Sequence, residues 1–284
     1  MNFNLEAKLV NEQKIGIKEI ESIFISYTSD TVSLYKIDSD EVILREYMNY
    51  EPEKEELADI TINDNKLIIV AGERKLKLIN FLIRKIELYI PSKYVNNFEV
   101  STSSGSIKSD ESFKFSNFKA TSKSGSIKLK DICANNINAL TSSGSIIMEN
   151  ANGNRRFKTS SGSIKVLSGC GDSILSSSSG FITVNNLVGK LEASASSGGV
   201  KATINELNDD IDISVSSGSA NLTIPASSSF KFNVQSSSGS IKTYFDNQLS
   251  YNKKGNHATG VIGENPIVSI SVKSSSGSVK INNI

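Results

Sequence analysis

The chain is predicted to be all-β, a single-domain β-solenoid with coils of about 19 residues. Three observations predict it: a repeated corner motif, apolar columns in phase with that motif, and almost no helical patterning. Variants of S-G-S-I recur with their glycines at Gly105, Gly125, Gly144, Gly162, Gly180, Gly198, Gly218, Gly239 and Gly277, at gaps of 20, 19, 18, 18, 18, 20, 21 and 38 residues. A period near 19 that tolerates small insertions marks stacked coils. The segment Glu12 to Ile20 has some 3.6-residue spacing but is too short to nucleate a helix.

Counted from each glycine, position minus 5 reads Val100, Ala120, Ala139, Phe157, Leu175, Ala193, Ile213, Val234, Val272. Position plus 2 reads Ile107, Ile127, Ile146, Ile164, Ile182, Val200, Ala220, Ile241, Val279. Apolar and polar positions alternate around both columns, the mark of a strand with one buried face. The alternation puts minus 7, minus 5, minus 3 and minus 1 inward, then plus 2 and plus 4. Parity therefore changes at the glycine, which is expected to turn a corner in a left-handed or bulged conformation. Serine holds minus 1 in all nine copies and plus 1 in seven, with Phe181 and Gly199 as exceptions. Stacked hydroxyls both donate and accept, so these columns read as a structural ladder. A nucleophile needs an adjacent base, and the single histidine, His257, lies in a segment that breaks the period.

The first hundred residues repeat the pattern in weaker form. IFISYTSDTVSL (23–34) carries Asp30 where glycine is expected, and ITINDNKLII (60–69) carries Asn65; both residue types tolerate left-handed corners. Residues 1–14 are read as an N-terminal extension, 15–97 as degenerate coils that cap the stack, and 98–284 as regular repeats. Capping is expected because an open end exposes unpaired strand edges. The densest apolar run, LINFLI (78–83), makes Ile79, Phe81, Leu82 and Ile83 a candidate partner-contact tip. It is too short to cross a membrane, and MNFNLEAKLVNEQK lacks the apolar core of a signal peptide. A soluble chain is expected, cytoplasmic as encoded.

A formal net charge of +1 offers no field for nucleic acid, and the absence of Trp with aromatics at 7% argues against a carbohydrate-stacking platform. Cys133 and Cys170 fall eight residues after their glycines, two coils apart, beyond disulfide reach at about 4.8 Å per rung. No zinc, P-loop, dinucleotide or calcium-solenoid motif occurs, so no catalytic residue, metal or cofactor is assigned. Asp209, Asp210 and Asp212 read as a solvated turn. One outward column stands out. Position plus 3 holds Lys108, Lys128, Lys165, Lys201, Lys242 and Lys280, interrupted by Ile147, Thr183 and Asn221. These six lysines are the candidate contacts for an anionic ligand. At 9–10 Å their unscreened repulsion in water is only about 0.4 kcal/mol, so the column is also compatible with edge protection and solubility.

The segments Ile25 to Leu34 and Ile86 to Pro91, the nine glycine corners, and Gly260 to Ile281 together resemble the bacterial putative-adhesin family of β-strand repeat proteins, a domain of unknown function. The resemblance covers about residues 15–284 and implies a right-handed β-helix-like solenoid, with an envelope-associated or stress-related context. Three functions follow. The first is a non-catalytic, adhesin-like scaffold that binds a protein partner or an anionic envelope polymer. The second is a cytoplasmic regulatory scaffold in envelope stress, acting through the acidic loop 46–57 and the LINFLI tip. The third is a polysaccharide-acting enzyme, which needs convergent carboxylates in a groove.

Overall fold

The computed structural model describes residues 6–74, 82–245 and 249–284, which form β-strands and one short 3-10 turn at Lys54–Glu56. Three coils run as single bent strands from one corner to the next, Ile107–Ser122, Ile127–Thr141 and Ile146–Thr159, stacked in parallel. From Ile164 the same path divides into shorter strands, beginning with Ile164–Cys170 and Ser173–Ser177. At the end of the first strand and just after it, Gly169 and Gly171 hold φ of +149° and +105°, values glycine adopts without strain, and a second corner opens there.

The core is the stack of inward columns. Ile86, Val32, Ile107, Ile127, Ile146, Ile164, Ile182, Val200, Ala220, Val279 and Ile241 pair in that spatial order. All but Ile241 are buried. Ile241 is half-buried because, among the described residues, its strand Ile241–Thr243 is the outermost on its side and pairs only with Val279–Asn283.

Spatial order departs from chain order at both ends. The strands Ser269–Ser274 and Val279–Asn283 insert between the coil of Gly218 and the coil of Gly239. Asp210 helps hold them, its Oδ1 accepting from the Ser269 N–H at 2.8 Å. The residues between Gly239 and Gly277 supply an antiparallel pair, Leu249–Tyr251 and His257–Ile262, laid on Phe230–Ser236. His257 Nε2 there meets Asn233 Oδ1 at 3.1 Å.

The other end mirrors this arrangement. Ser22–Tyr27 lies between Lys66–Val70 and Asn97–Thr102, and Thr31–Ile37 lies between Arg84–Pro91 and Ile107–Ser122. Antiparallel strands then cover the outer rung: Asp59–Asn63 on Lys66–Val70, Glu41–Met48 on Arg84–Pro91, and Lys8–Gly16 on Glu41–Met48. The Lys8–Gly16 strand crosses the boundary at residue 14.

The corner glycines differ from expectation in mechanism. None of the nine has positive φ. Glycine is required because the corners stack backbone on backbone: a Cβ on Gly125, Gly144 or Gly162 would lie 1.8, 2.0 or 1.9 Å from the carbonyl oxygen of the corner glycine one coil below. Minus 1 is also corrected. Its serines, such as Ser104, Ser124 and Ser143, are exposed, since the chain already turns at minus 2.

The inward hydroxyl is at minus 3. Ser122 Oγ accepts from the Gly125 N–H at 2.9 Å and donates to the Gly105 carbonyl at 3.1 Å. Thr102, Thr141, Thr159 and Ser177 do the same for their own corners. Ala195 and Val215 interrupt this ladder. At plus 1 the expected serine ladder is present, with each N–H of Ser126, Ser145 and Ser163 donating to the serine Oγ of the preceding coil at 3.2–3.3 Å.

Two sets of charges are buried. Arg155 replaces an apolar residue in the minus 7 column between Ile137 and Ser173, and its guanidinium donates to the carbonyls of Ala151 and Gly171. Burial pushes its pKa down to about 10, which still leaves a cation at neutral pH. Under the outer N-terminal rung, Arg84 lies 3.7 Å from both Asp30 and Glu46 and donates to the Glu56 carbonyl at 3.1 Å. Tyr27 donates to Glu46 at 3.3 Å, and burial together with the Glu46 charge pushes the Tyr27 hydroxyl up. Cys133 and Cys170 are exposed and unlinked. Asn152 stands on the rung between them, paired with Cys133 and accepting from the Cys170 N–H at 3.1 Å.

Candidate functional site

The plus 3 column lies on one sheet face, because plus 2 and plus 4 point into the core and strand side chains alternate. Its spatial order is Lys108, Lys128, Ile147, Lys165, Thr183, Lys201, Asn221, Lys280, Lys242. The insertion of the last coil reverses Lys242 and Lys280 relative to the chain. Eight rung steps of about 4.8 Å make a straight stripe roughly 38 Å long. All six lysines are exposed, and among the described residues none takes part in a salt bridge.

The minus 6 face behaves differently. Lys119 pairs with Glu99 at 2.7 Å, and Glu192 pairs with Lys190 of the neighbouring minus 8 column at 2.7 Å. Lys119 and Lys190 are thus neutralised on one face, whereas among the described residues no carboxylate pairs with the plus 3 lysines on another.

The two exceptions in the plus 1 column are a pair on this same face. Phe181 is 62% exposed, and a Cβ on Gly199, the plus 1 residue one coil on, would lie 2.9 Å from its ring. The ring therefore leans across Gly199. Phe181 precedes Thr183 by two residues, and Thr183 pairs with Lys165 on one side and Lys201 on the other. Phe181 is thus diagonal to both lysines. Sequence columns show both exceptions but not their contact, which depends on where the ring turns.

Of the proposed tip, Ile79 and Phe81 lie outside the described residues. Leu82 and Ile83 are half-buried, and Ile83 is tied down, its N–H donating to Asn49 Oδ1 at 2.9 Å. A minus 8 ladder escaped the sequence reading: Asn117 donates to Asn97 and Asn136 to Asn117, each at 2.9 Å. The run of Asn at minus 8 from Asn97 to Asn154 was the available signal. A cavity of about 820 Å³ lies at the covered N-terminal end among Ile17, Lys18, Asp40, Lys93, Tyr94 and Asn96. Lys93 and Asp40 pair with each other there, and the Tyr94 hydroxyl donates to the Asn97 carbonyl at 2.7 Å. Among the described residues no cluster of His, Cys, Asp and Glu has metal-holding geometry, and no helix is long and apolar enough to cross a membrane.

Solved structures are similar to this chain, one of them at a level that shows a shared fold. A Parabacteroides merdae protein described as a putative adhesin is 13% identical over 96% of each chain, with a TM-score of 0.53. A Bacteroides fragilis putative adhesin is 16% identical over 98% of this chain and 97% of its own, at 0.49. A Parabacteroides distasonis protein described as a putative lipid binding protein is 16% identical with the same coverage, at 0.48. No curated protein is matched. The Toastrack DUF4097 family model matches residues 20–282, and the chain belongs to that family.

Proposed function

We propose that the protein is a non-catalytic, adhesin-like binding scaffold whose lysine face takes an anionic polymer. The observation that carries this reading is the contrast between the two faces: paired lysines at minus 6 and minus 8, unpaired lysines in line at plus 3. An unneutralised row of cations on a flat sheet raises the local concentration of a polyanion and holds it by many weak contacts. The placement of the buried charges supports a non-catalytic role, because Arg84 and Arg155 are bonded to corner and cap backbone, away from this face.

The test is binding to inorganic polyphosphate and to polygalacturonate across a salt series. Affinity is expected to fall steeply as salt rises. The triple change Lys165→Gln, Lys201→Gln, Lys242→Gln is expected to abolish binding with little change in thermal midpoint, since exposed lysines contribute little to stability. Binding that survives the triple change, or no binding to either polymer at low salt, refutes the reading.

A further inference from the structure

We propose that the lysine face takes a linear acidic polysaccharide, with Phe181 as the ring on which one of its sugars stacks. This rests on the reading of the face as an anion-binding surface and adds the chemistry of the ligand. Three features of the stripe point to it.

First, charge and neutrality alternate through the middle of the stripe, while Lys108 and Lys128, and Lys280 and Lys242, are direct neighbours at its ends. Lys128, Lys165 and Lys201 occupy every second rung, about 9.6 Å apart, with Ile147 and Thr183 between them. That pattern offers ion pairing to recurrent carboxylates, and apolar or hydroxyl contact to the sugar between. Polyphosphate, which carries no sugar ring, uses the lysines alone.

Second, Phe181 breaks a column of serines at the middle of the stripe and not at its ends. Its backbone is held on both sides: its N–H donates to Ser163 Oγ at 3.3 Å and its carbonyl accepts from Ile164 at 2.9 Å. The ring base is thus fixed before any ligand arrives, which lowers the ordering cost of binding.

Third, Gly199 makes room for the ring to lean along the stack. A serine there, as in seven other coils, would put a Cβ within 2.9 Å of the ring. A leaning ring presents a face at the level of the lysines, where the C–H-rich face of a pyranose stacks on it.

The experiment compares wild-type protein with Phe181→Ser, the residue found at this position in most coils, against polygalacturonate, inorganic polyphosphate and phosphatidylglycerol vesicles. Thermal midpoints are measured alongside to confirm that both proteins are folded. Phe181→Ser is expected to weaken polygalacturonate about tenfold, to leave polyphosphate unchanged, and to keep the salt dependence of both; Phe181→Tyr is expected to retain wild-type affinity. The proposal is overturned by equal polygalacturonate affinity in wild-type and Phe181→Ser proteins, by equal loss toward both polymers, or by a loss confined to vesicles. Wild-type protein that binds polyphosphate but not polygalacturonate overturns it while leaving the anion-binding reading standing. Wild-type protein that binds neither polymer removes both.

Discussion

Gly277 sits directly on Gly218, close enough that a Cβ on Gly277 would lie 1.6 Å from the Gly218 carbonyl oxygen. Gly239, which comes earlier in the chain than Gly277, stacks on Gly277 in turn. The corners thus form one continuous backbone column whose members need only lack a side chain.

That column predicts a sharp difference between glycines. Gly162→Ala places a methyl 1.9 Å from the Gly144 carbonyl oxygen, and is expected to cost at least the 1–3 kcal/mol typical of overpacking, roughly. Gly16→Ala has nothing within 4 Å and is expected to change stability by less than about 0.5 kcal/mol. Urea denaturation of the two variants decides; similar effects would show that the corner stack tolerates side chains.

The column stops at Asp30, because the Cβ direction that forbids a side chain on Gly105 points the Asp30 side chain at the outer rung. There it meets Arg84. Arg84→Met leaves Asp30 and Glu46 buried without their cation and is expected to cost about 3–5 kcal/mol. The double change Asp30→Gly, Arg84→Met is expected to recover part of that loss, and no recovery in thermal melts would separate the two residues energetically.

Within the isoleucine column, burial sets the cost of truncation. Ile164→Ala removes a fully buried side chain and is expected to destabilise by about 2–5 kcal/mol. Ile241→Ala, on the half-exposed outer rung, is expected to cost clearly less. Chemical denaturation giving the reverse order would contradict the assigned rung order.

The gap in the minus 3 ladder offers a gain. Val215→Thr introduces a hydroxyl in line with the Gly218 N–H and the Gly198 carbonyl, in the geometry that Ser122 uses between Gly125 and Gly105. A stabilisation of about 1 kcal/mol is expected. A lowered melting temperature would mean that the extra polar atom finds no partner.

Much of this was legible from columns. Plus 2 and minus 5 are apolar in every coil, so their burial followed from period and alternation alone. The lysine stripe was legible for the same reason, as a column property. The corner was misread because a glycine in sequence does not say whether it serves φ or close approach. Strict alternation rightly placed minus 3 inward, but giving the hydroxyl ladder to minus 1 left unread the role of Thr102, Ser122, Thr141, Thr159 and Ser177 at minus 3. The insertion of Ser269–Asn283 beneath the coil of Gly239 left no local trace: a gap of 38 residues reads as two periods whichever way the chain returns. Arg155 was passed over because a polar residue or two, here Arg155 and Ser173, in a mostly apolar column look like noise until the carbonyl partners are placed.

Tucking each terminal coil one rung inside the stack bears on how the protein meets mechanical load. A pull on Ile284 cannot peel an edge strand away one bond at a time, because Val279–Asn283 is clasped between Ala220–Ile224 and Ile241–Thr243. The strand must shear along two parallel ladders together, so force on that terminus loads many hydrogen bonds at once.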